Sequence, residues 1–340
     1  MAWSRPMPER PVVAVAGATG AVGIEMLKVL AERRFPAERV VALASSRSAG
    51  KRLPFGAGEL VVEELTADSF VGVDIALFSA GAGISEEFRE SVVGAGCVMI
   101  DNSSAFRMDE DVPLVVPEVN AEDVAWHSGV IANPNCSTIQ MVVALDPLHR
   151  IAPIKRVVVA TYQAASGAGA AAMAELYDQT RDFLDGRPLL PKEFAHRIAF
   201  NCIPQIDVFL DDASTKEEWK MVAETKKIMH APELLVTATC VRVPVLRCHS
   251  EAVNVEFSAP ISLDDAWRAL DGSPGITVLD DPATKAYPMP ALLEGTDDTY
   301  LGRLRVDASV PYGLSMWVVA DQLRKGAALN AVQIAEELVR

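Results

Sequence analysis

Between the apolar run Val12–Ala16 and a stretch carrying Ile24, Leu27, Leu30 and Ala31 at helical spacing stands Gly17-Ala18-Thr19-Gly20-Ala21-Val22-Gly23. A strand-length apolar run, a glycine turn and a switch to a 3.6-residue period specify strand, turn and helix in immediate succession. Free N–H groups at such a helix start, with the helix dipole behind them, favour a pyrophosphate, and glycine lets the backbone come close to it. The spacing is GxxGxxG instead of GxGxxG, so a tight turn with packing glycines is the competing explanation.

Apolar runs at residues 40–44, 75–80 and 98–100 alternate with helical stretches such as 85–93. That alternation implies βαβ units and a mostly parallel sheet. The expected fold class is therefore α/β: a Rossmann-type, doubly wound domain over residues 1–133. Beyond it, longer Val- and Thr-rich runs at 156–162, 234–246 and 252–257 point to an α+β domain with a mixed sheet over residues 134–320. The last stretch, 321–340, places Leu323, Ala327, Leu329, Val332, Ile334, Ala335 and Leu338 on a helical pattern and is expected to complete the first domain. A chain of 340 residues suits two cores of ~150 residues each.

At the end of the second strand an NAD enzyme would place a carboxylate on the ribose 2′-hydroxyl. This chain instead reads Ala44-Ser45-Ser46-Arg47-Ser48. An arginine among hydroxyls suits a 2′-phosphate, which predicts NADP.

The formal charge is −15 and no run of five Lys or Arg occurs, which argues against a nucleic-acid partner. A small anionic substrate remains compatible, because a few cations focused in a cleft outweigh a distant acidic surface. Five cysteines without a CxxC spacing indicate neither a disulfide framework nor a metal site. The polar first ten residues and the absence of an 18-residue apolar run lead us to expect no membrane association and a cytoplasmic protein.

Cys136 follows Asn133-Pro134-Asn135 and precedes the apolar Ile139, Val142, Val143 and Leu145, so it falls at a helix start, where a thiolate is favoured. Cys97, Cys202 and Cys240 lie in apolar runs and are expected to be buried and inert. A nucleophilic thiol needs an acid/base partner, and five histidines are available. His127, His149 and His230 fall near helix ends, where a positive charge would complement the dipole. His249, between two strand-like runs, is better placed to be aimed into a cleft; position alone favours it and leaves His196 open.

Seven segments in order resemble the aspartate-semialdehyde dehydrogenase family: residues 17–23, 101–107, 116–120, 133–138, 161–167, 217–220 and 242–249. The resemblance covers nearly the whole chain. It implies Cys136 as nucleophile, His249 as acid/base and Gln163 as the residue orienting the substrate, with Glu217 and Arg242 on its amino and carboxylate groups. It also implies a phosphate site of Arg107, Asn135 and Lys220. Gly17, Thr19, Gly20, Ala21 and Val22 would meet the cofactor, Ser45, Ser46, Arg47 and Ser48 its ribose phosphate, and Ser166, Gly167 and Gly169 the nicotinamide. Gln322 would close that site from the C-terminal helix.

The reaction so implied is reversible, NADP- and phosphate-dependent oxidation of L-aspartate 4-semialdehyde to 4-phospho-L-aspartate through a thiohemiacetal and a thioester. Biosynthesis of lysine, threonine, methionine and isoleucine would use the reverse direction. A homodimer or homotetramer is expected. The rival readings are an N-acetyl-glutamyl-phosphate reductase and a non-catalytic NADP-binding sensor; without the resemblance, Glu217, Glu218 and Lys220 read as an ordinary solvated helix face, the usual meaning of such a run.

Overall fold

The computed structural model describes Trp3 and residues 5–340. Two compact units are present, one of residues up to Asn135 together with Ala327–Arg340, the other Cys136–Gly326.

The first unit is built on seven strands: β1 (Val12–Ala16), β2 (Arg39–Ala44), β3 (Arg52–Phe55), β4 (Gly58–Glu64), β5 (Ile75–Phe78), β6 (Val98–Asp101) and β7 (Val130–Ala132). They lie in the order β3-β4-β2-β1-β5-β6-β7, all parallel except the β3–β4 hairpin. Its helices are α1 (Ala21–Glu32), α2 (Ala82–Gly94) and the single turn α3 (Pro117–Asn120). β1 and β5, in the middle of the sheet, are buried almost end to end. A parallel strand covered on both faces must read as a continuous apolar run, which is why these strands show no alternation.

The glycines after β1 are dictated by close approach. Gly17 has φ +83°, and a Cβ there would stand 2.3 Å from the Ser79 carbonyl oxygen. A Cβ on Gly23 would stand 2.2 Å from the Gly17 carbonyl oxygen. The turn is thus pressed onto the end of β5, with space for backbone alone.

The second unit opens with α4 (Cys136–Ile151) and continues through β8 (Ile154–Gln163), α5 (Ala170–Leu184), α6 (Lys216–Ile228), β9 (Leu235–Arg242) and β10 (His249–Phe257). It ends with α7 (Leu263–Leu270), β11 (Ile276–Val278), α8 (Pro290–Leu293), β12 (Thr299–Asp307) and β13 (Gly313–Ala320). The sheet runs β11-β12-β13-β10-β8-β9 and is mixed, with β8–β9 and β11–β12 parallel and the remaining pairs antiparallel. α4 lies against β8, β10, β12 and β13 and also packs on α6 and α7. Ten consecutive or near-consecutive residues of α4, from Ser137 to Leu148, are buried, as expected of a helix enclosed on all sides.

Two sequence expectations need correction. The run 234–246 is not one strand: β9 stops at Arg242, because Pro244 carries no N–H for a ladder. The stretch 321–340 is not one helix. Asp321 takes the Leu323 N–H on its side chain (3.0 Å) and the Arg324 and Gly326 N–H groups on its carbonyl (3.0 and 3.3 Å), which makes a turn. A π-helical turn, Arg324–Ala328, then leads into α9 (Leu329–Leu338), whose Leu329, Val332 and Ile334 join the core of the first unit. The β3–β4 hairpin and the β12–β13 pair were not read from the sequence. Among the described residues no helix is long and apolar enough to cross a membrane.

Gly17→Ala should therefore lower the unfolding free energy by about 2 kcal/mol or more, combining left-handed strain with a backbone collision. Urea unfolding of the two proteins measures this; an unchanged midpoint would mean that the turn relaxes freely.

Candidate active site

In the second unit, register brings the chemistry to one end of the sheet. β8 and β9 pair Gln163 with Arg242 and Thr161 with Cys240. On the other side, β8 and β10 pair Tyr162 with Ser250 and Thr161 with Glu251, and one further antiparallel step sets Gln163 level with His249. Arg242, Gln163 and His249 are all buried. Three residues remote in sequence thus form one row on three neighbouring strands.

The row is wired to α6. Thr161 Oγ1 donates to Gln163 Oε1 (3.0 Å), and Gln163 Nε2 donates to Glu217 Oε1 (3.1 Å). Glu217 is buried in the first turn of α6, where the helix dipole favours a carboxylate. Its neighbour Glu218 faces elsewhere: it closes a capping box with Thr215 and accepts the Cys240 N–H on Oε1 (3.0 Å). Lys220 Nζ donates to Glu217 Oε2 (3.1 Å) and to Asp207 Oδ2 (2.7 Å). Burial opposes the charge on Lys220, but Glu217 and Asp207 outweigh it and its pKa is raised. The 217–220 run is therefore no solvated face.

Arg242 Nη1 donates to the Ala164 carbonyl (2.7 Å), and the Phe194 ring lies 6.0 Å from the guanidinium carbon. Burial lowers its pKa, while the charges of Glu217 and then Cys136 hold it protonated. His249 accepts the Ala164 N–H on Nδ1 (3.0 Å), and its buried Nε2 has no hydrogen-bond partner. Burial first and Arg242 second push the His249 pKa well below its usual value, against a hydrogen bond to the Cys248 backbone. The ring is neutral at pH 7.

Gly167 covers this pair. A Cβ there would stand 2.8 Å from Arg242 Nη1 and 3.0 Å from His249 Nε2. Cys136 is the first residue of α4 and partly accessible, and a Cβ on Gly326 would come 2.9 Å from its own. Both glycines keep space open beside these side chains. Ser166 accepts a hydrogen bond from Gln322 Nε2, and Gln322 Oε1 accepts the Cys248 N–H (2.8 Å). Gln322 thus precedes the terminal helix instead of lying on it. Gly169 caps α5 with φ +95°.

The other cysteines and histidines sort differently from expectation in two cases. Cys97 and Cys240 are buried with raised pKa, but Cys202 is exposed, on an irregular segment. His127 is no helix-end cation: burial lowers its pKa to about 4, and its Nδ1 accepts the Gly129 N–H (3.0 Å). His149 Nδ1 accepts the Ile154 N–H (3.1 Å), and His196 is exposed.

In the first unit, α1 begins at Ala21 behind Gly20, with no side-chain cap and no acidic residue in its first turn. Thr19, Ala21 and Val22 stand beside that uncapped start. The uncapped N–H groups of that helix start fit a dinucleotide pyrophosphate. After β2, Ser45, Ser46 and Arg47 are exposed and Ser48 is buried. Lys51, which the sequence did not single out, reaches Ser48 Oγ (3.3 Å) and adds a second cation near Arg47. Arg107 is buried and donates Nη2 to the Asn102 carbonyl (3.1 Å). Its loop is anchored by Asp101, which accepts from Ser85 Oγ and Ser103 Oγ, both at 2.6 Å. Asn135 is buried. No cluster of His, Cys, Asp or Glu suited to a metal occurs among the described residues.

Comparison with known proteins gives a consistent picture. Residues 12–127 match the family described as semialdehyde dehydrogenase, NAD binding domain, and residues 145–325 match semialdehyde dehydrogenase, dimerisation domain. Aspartate-semialdehyde dehydrogenase of Aquifex aeolicus is 55% identical over 96% of this chain and 98% of its own. That of Bacillus subtilis is 50% identical over 96% of each. Among solved structures, aspartate semialdehyde dehydrogenase II of Vibrio cholerae, complexed with ASA, superposes with a TM-score of 0.95 at 48% identity, over 97% of this chain and 98% of the other. The Candida albicans enzyme with NADP gives 0.74 at 26% identity, over 97% and 98%.

Gly167→Ala should leave the fold intact, because the atoms it would displace belong to side chains. It should lower kcat/KM for the aldehyde at least tenfold, a threshold equal to about 1.4 kcal/mol. Steady-state kinetics with a thermal melt decides; a wild-type rate would show that Arg242 and His249 do not need that space.

Proposed function

This chain belongs to the aspartate-semialdehyde dehydrogenase family, and from that premise we propose how its side chains divide the reaction. The reaction is reversible, dinucleotide-dependent oxidation of L-aspartate 4-semialdehyde to 4-phospho-L-aspartate. The observation that carries the assignment is the row Arg242, Gln163, His249 backed by buried Glu217, within the unit that begins at Cys136. Identities of 50–55% over nearly the whole chain favour this substrate over an N-acetylated glutamyl phosphate. They also favour catalysis over a sensor role.

The substrate carries an ammonium and a carboxylate. Glu217 takes the former and Arg242 the latter, the guanidinium offering two parallel hydrogen bonds. Gln163, already bonded to Glu217, sets the orientation. The Cys136 thiolate adds to the aldehyde carbon and forms a thiohemiacetal. His249 faces the oxygen with Nε2. With Nδ1 accepting from Ala164, the neutral ring carries its proton on Nε2, so in this pose it acts as a hydrogen-bond donor to the oxygen anion. Collapse of that anion expels hydride and leaves a thioester on Cys136. The expected acid/base role narrows to this donation unless Nδ1 becomes protonated, a state that the Cys248 backbone favours.

The bound dinucleotide supplies the hydride acceptor. Gly17, Thr19, Gly20, Ala21 and Val22 would hold its pyrophosphate, and Ser166, Gly167 and Gly169 are assigned to the nicotinamide by the family resemblance. NADP is preferred, because the end of β2 offers Ser45, Ser46, Arg47 and Ser48, with Lys51 beyond, and no carboxylate. Inorganic phosphate then attacks the thioester. Lys220, kept protonated by Glu217 and Asp207, is assigned to it; Arg107 and Asn135 are assigned to phosphate by the family resemblance alone. A homodimer or homotetramer is proposed, and Tyr162 and Trp317, 5.3 Å apart and partly exposed, offer an apolar patch for it. The setting is cytoplasmic.

Cys136→Ser should abolish phosphate-dependent NADPH formation while NADP binding stays within twofold; retained turnover would remove Cys136 as nucleophile. Arg242→Lys keeps the charge and loses the fork, so kcat/KM for the aldehyde should fall tenfold or more. A wild-type value would take Arg242 out of the substrate site.

A further inference from the structure

The irregular chain after α5 touches Arg242 twice. Ile203 exchanges both backbone hydrogen bonds with it, at 2.9 Å each. Phe194, from the same segment, lies against its guanidinium. What holds that segment is a pair of buried polar residues one turn apart on α5. Gln179 Oε1 accepts the Ile198 and Ala199 N–H groups (2.9 and 3.1 Å), and its Nε2 donates to the Leu190 carbonyl (3.2 Å). Glu175 Oε2 accepts the Lys192 N–H (3.2 Å) and the Glu193 N–H, while Oε1 accepts from Gln179 Nε2 (2.7 Å). Gln179 is 2% exposed and Glu175 5%.

A chain with no ladder of its own thus has five of its backbone groups satisfied by two side chains. Those of Ile198 and Ala199 are the costly ones to lose, because each would leave a buried N–H unmet. Ile198, Ala199 and Ile203 pack with Ala165 and Leu176, and Phe194 and Leu246 close over that cluster. Ala165 follows the residue whose carbonyl takes Arg242 Nη1. The segment is therefore fixed on both sides of Phe194.

We propose that Glu175 and Gln179 are positioning residues for the substrate carboxylate: they clip residues 190–199 to α5 so that Phe194 covers one face of the Arg242 guanidinium. The ring keeps water from that face and attracts the cation through its quadrupole, while the guanidinium edge stays free for a carboxylate. The clip acts on Arg242 only through Phe194 and touches no substrate. The proposal rests on the assignment of Arg242 to that carboxylate.

The test is a double-mutant cycle in the full-length enzyme, read as separate KM values and kcat. Phe194→Leu keeps apolar volume, and Gln179→Met keeps length. Each should raise KM for aspartate semialdehyde roughly three- to tenfold. For each, kcat and the KM values for phosphate and NADP should stay within twofold. The double variant should be no worse than the larger single effect, because both remove one contact. Should Gln179→Met fail to fold, the isosteric Glu175→Gln takes its place in the cycle. Unchanged KM in Phe194→Leu, or fully additive effects, would overturn the proposal, as would a general loss of kcat. Arg242→Lys separates the two levels. If it leaves the aldehyde KM untouched, the carboxylate assignment itself fails; if it raises that KM while Phe194→Leu does not, only the clip fails.

Discussion

The catalytic unit depends on the burial of opposite charges. An isolated guanidinium or carboxylate taken out of water costs several kcal/mol, and only pairing with hydrogen bonds on the remaining atoms makes it tolerable. Arg242 meets that condition through the Ala164 carbonyl, the field of Glu217 and the Phe194 ring. Glu217 meets it through Gln163 and Lys220, and Lys220 through Asp207. The chain of contacts leaves neither charge dependent on a ligand for its stability. Under the proposed assignment of Arg242 and Glu217, a zwitterion would find charges already desolvated, so little reorganisation would oppose it.

How much of this was legible in the sequence depends on range. The glycine turn and the helix start at Cys136 were legible because each is a local switch of period: apolar run to helix around Gly17, polar cap to apolar helix around Cys136. The roles of Glu217 and Glu218 were not separable by composition. What separates them is a capping box: Thr215 and Glu218 bond reciprocally, which turns Glu218 toward Cys240 and leaves Glu217 facing Gln163. The Thr-x-x-Glu signal was there to be read. The pairing of Gln163 with Arg242 was not, since register between strands so far apart in sequence leaves no local mark. His127 was misjudged because position at a helix end says nothing about burial, and burial sets its charge.

The start of β10 shows how a reactive side chain is aimed. Cys248 has φ +72°, a conformation that costs a non-glycine residue about 1–2 kcal/mol. Its N–H is held by Gln322, and its neighbour Arg247 donates Nε to Asp321 (2.9 Å). Asp321 also fixes the turn that leads to Gly326 beside Cys136. One buried carboxylate therefore braces both the approach to His249 and the space next to the sulfur. Gln322, through its Oε1, secures the strained residue.

Register, and not the length of any connection, decides which side chains share the reactive row. Insertions and deletions in the surface segments that join β10 to β12 can accumulate without moving Gln163, Arg242 or His249, whereas the connection from β8 to β9 carries Phe194 and Ile203 against Arg242. A single residue lost from β10 beyond His249, with the rest of the strand held in register, would instead present Cys248 where the imidazole stands. Divergence among relatives should then be tolerated in the linking loops and punished in the strands, giving the fold a natural reserve of variable surface around an invariant register.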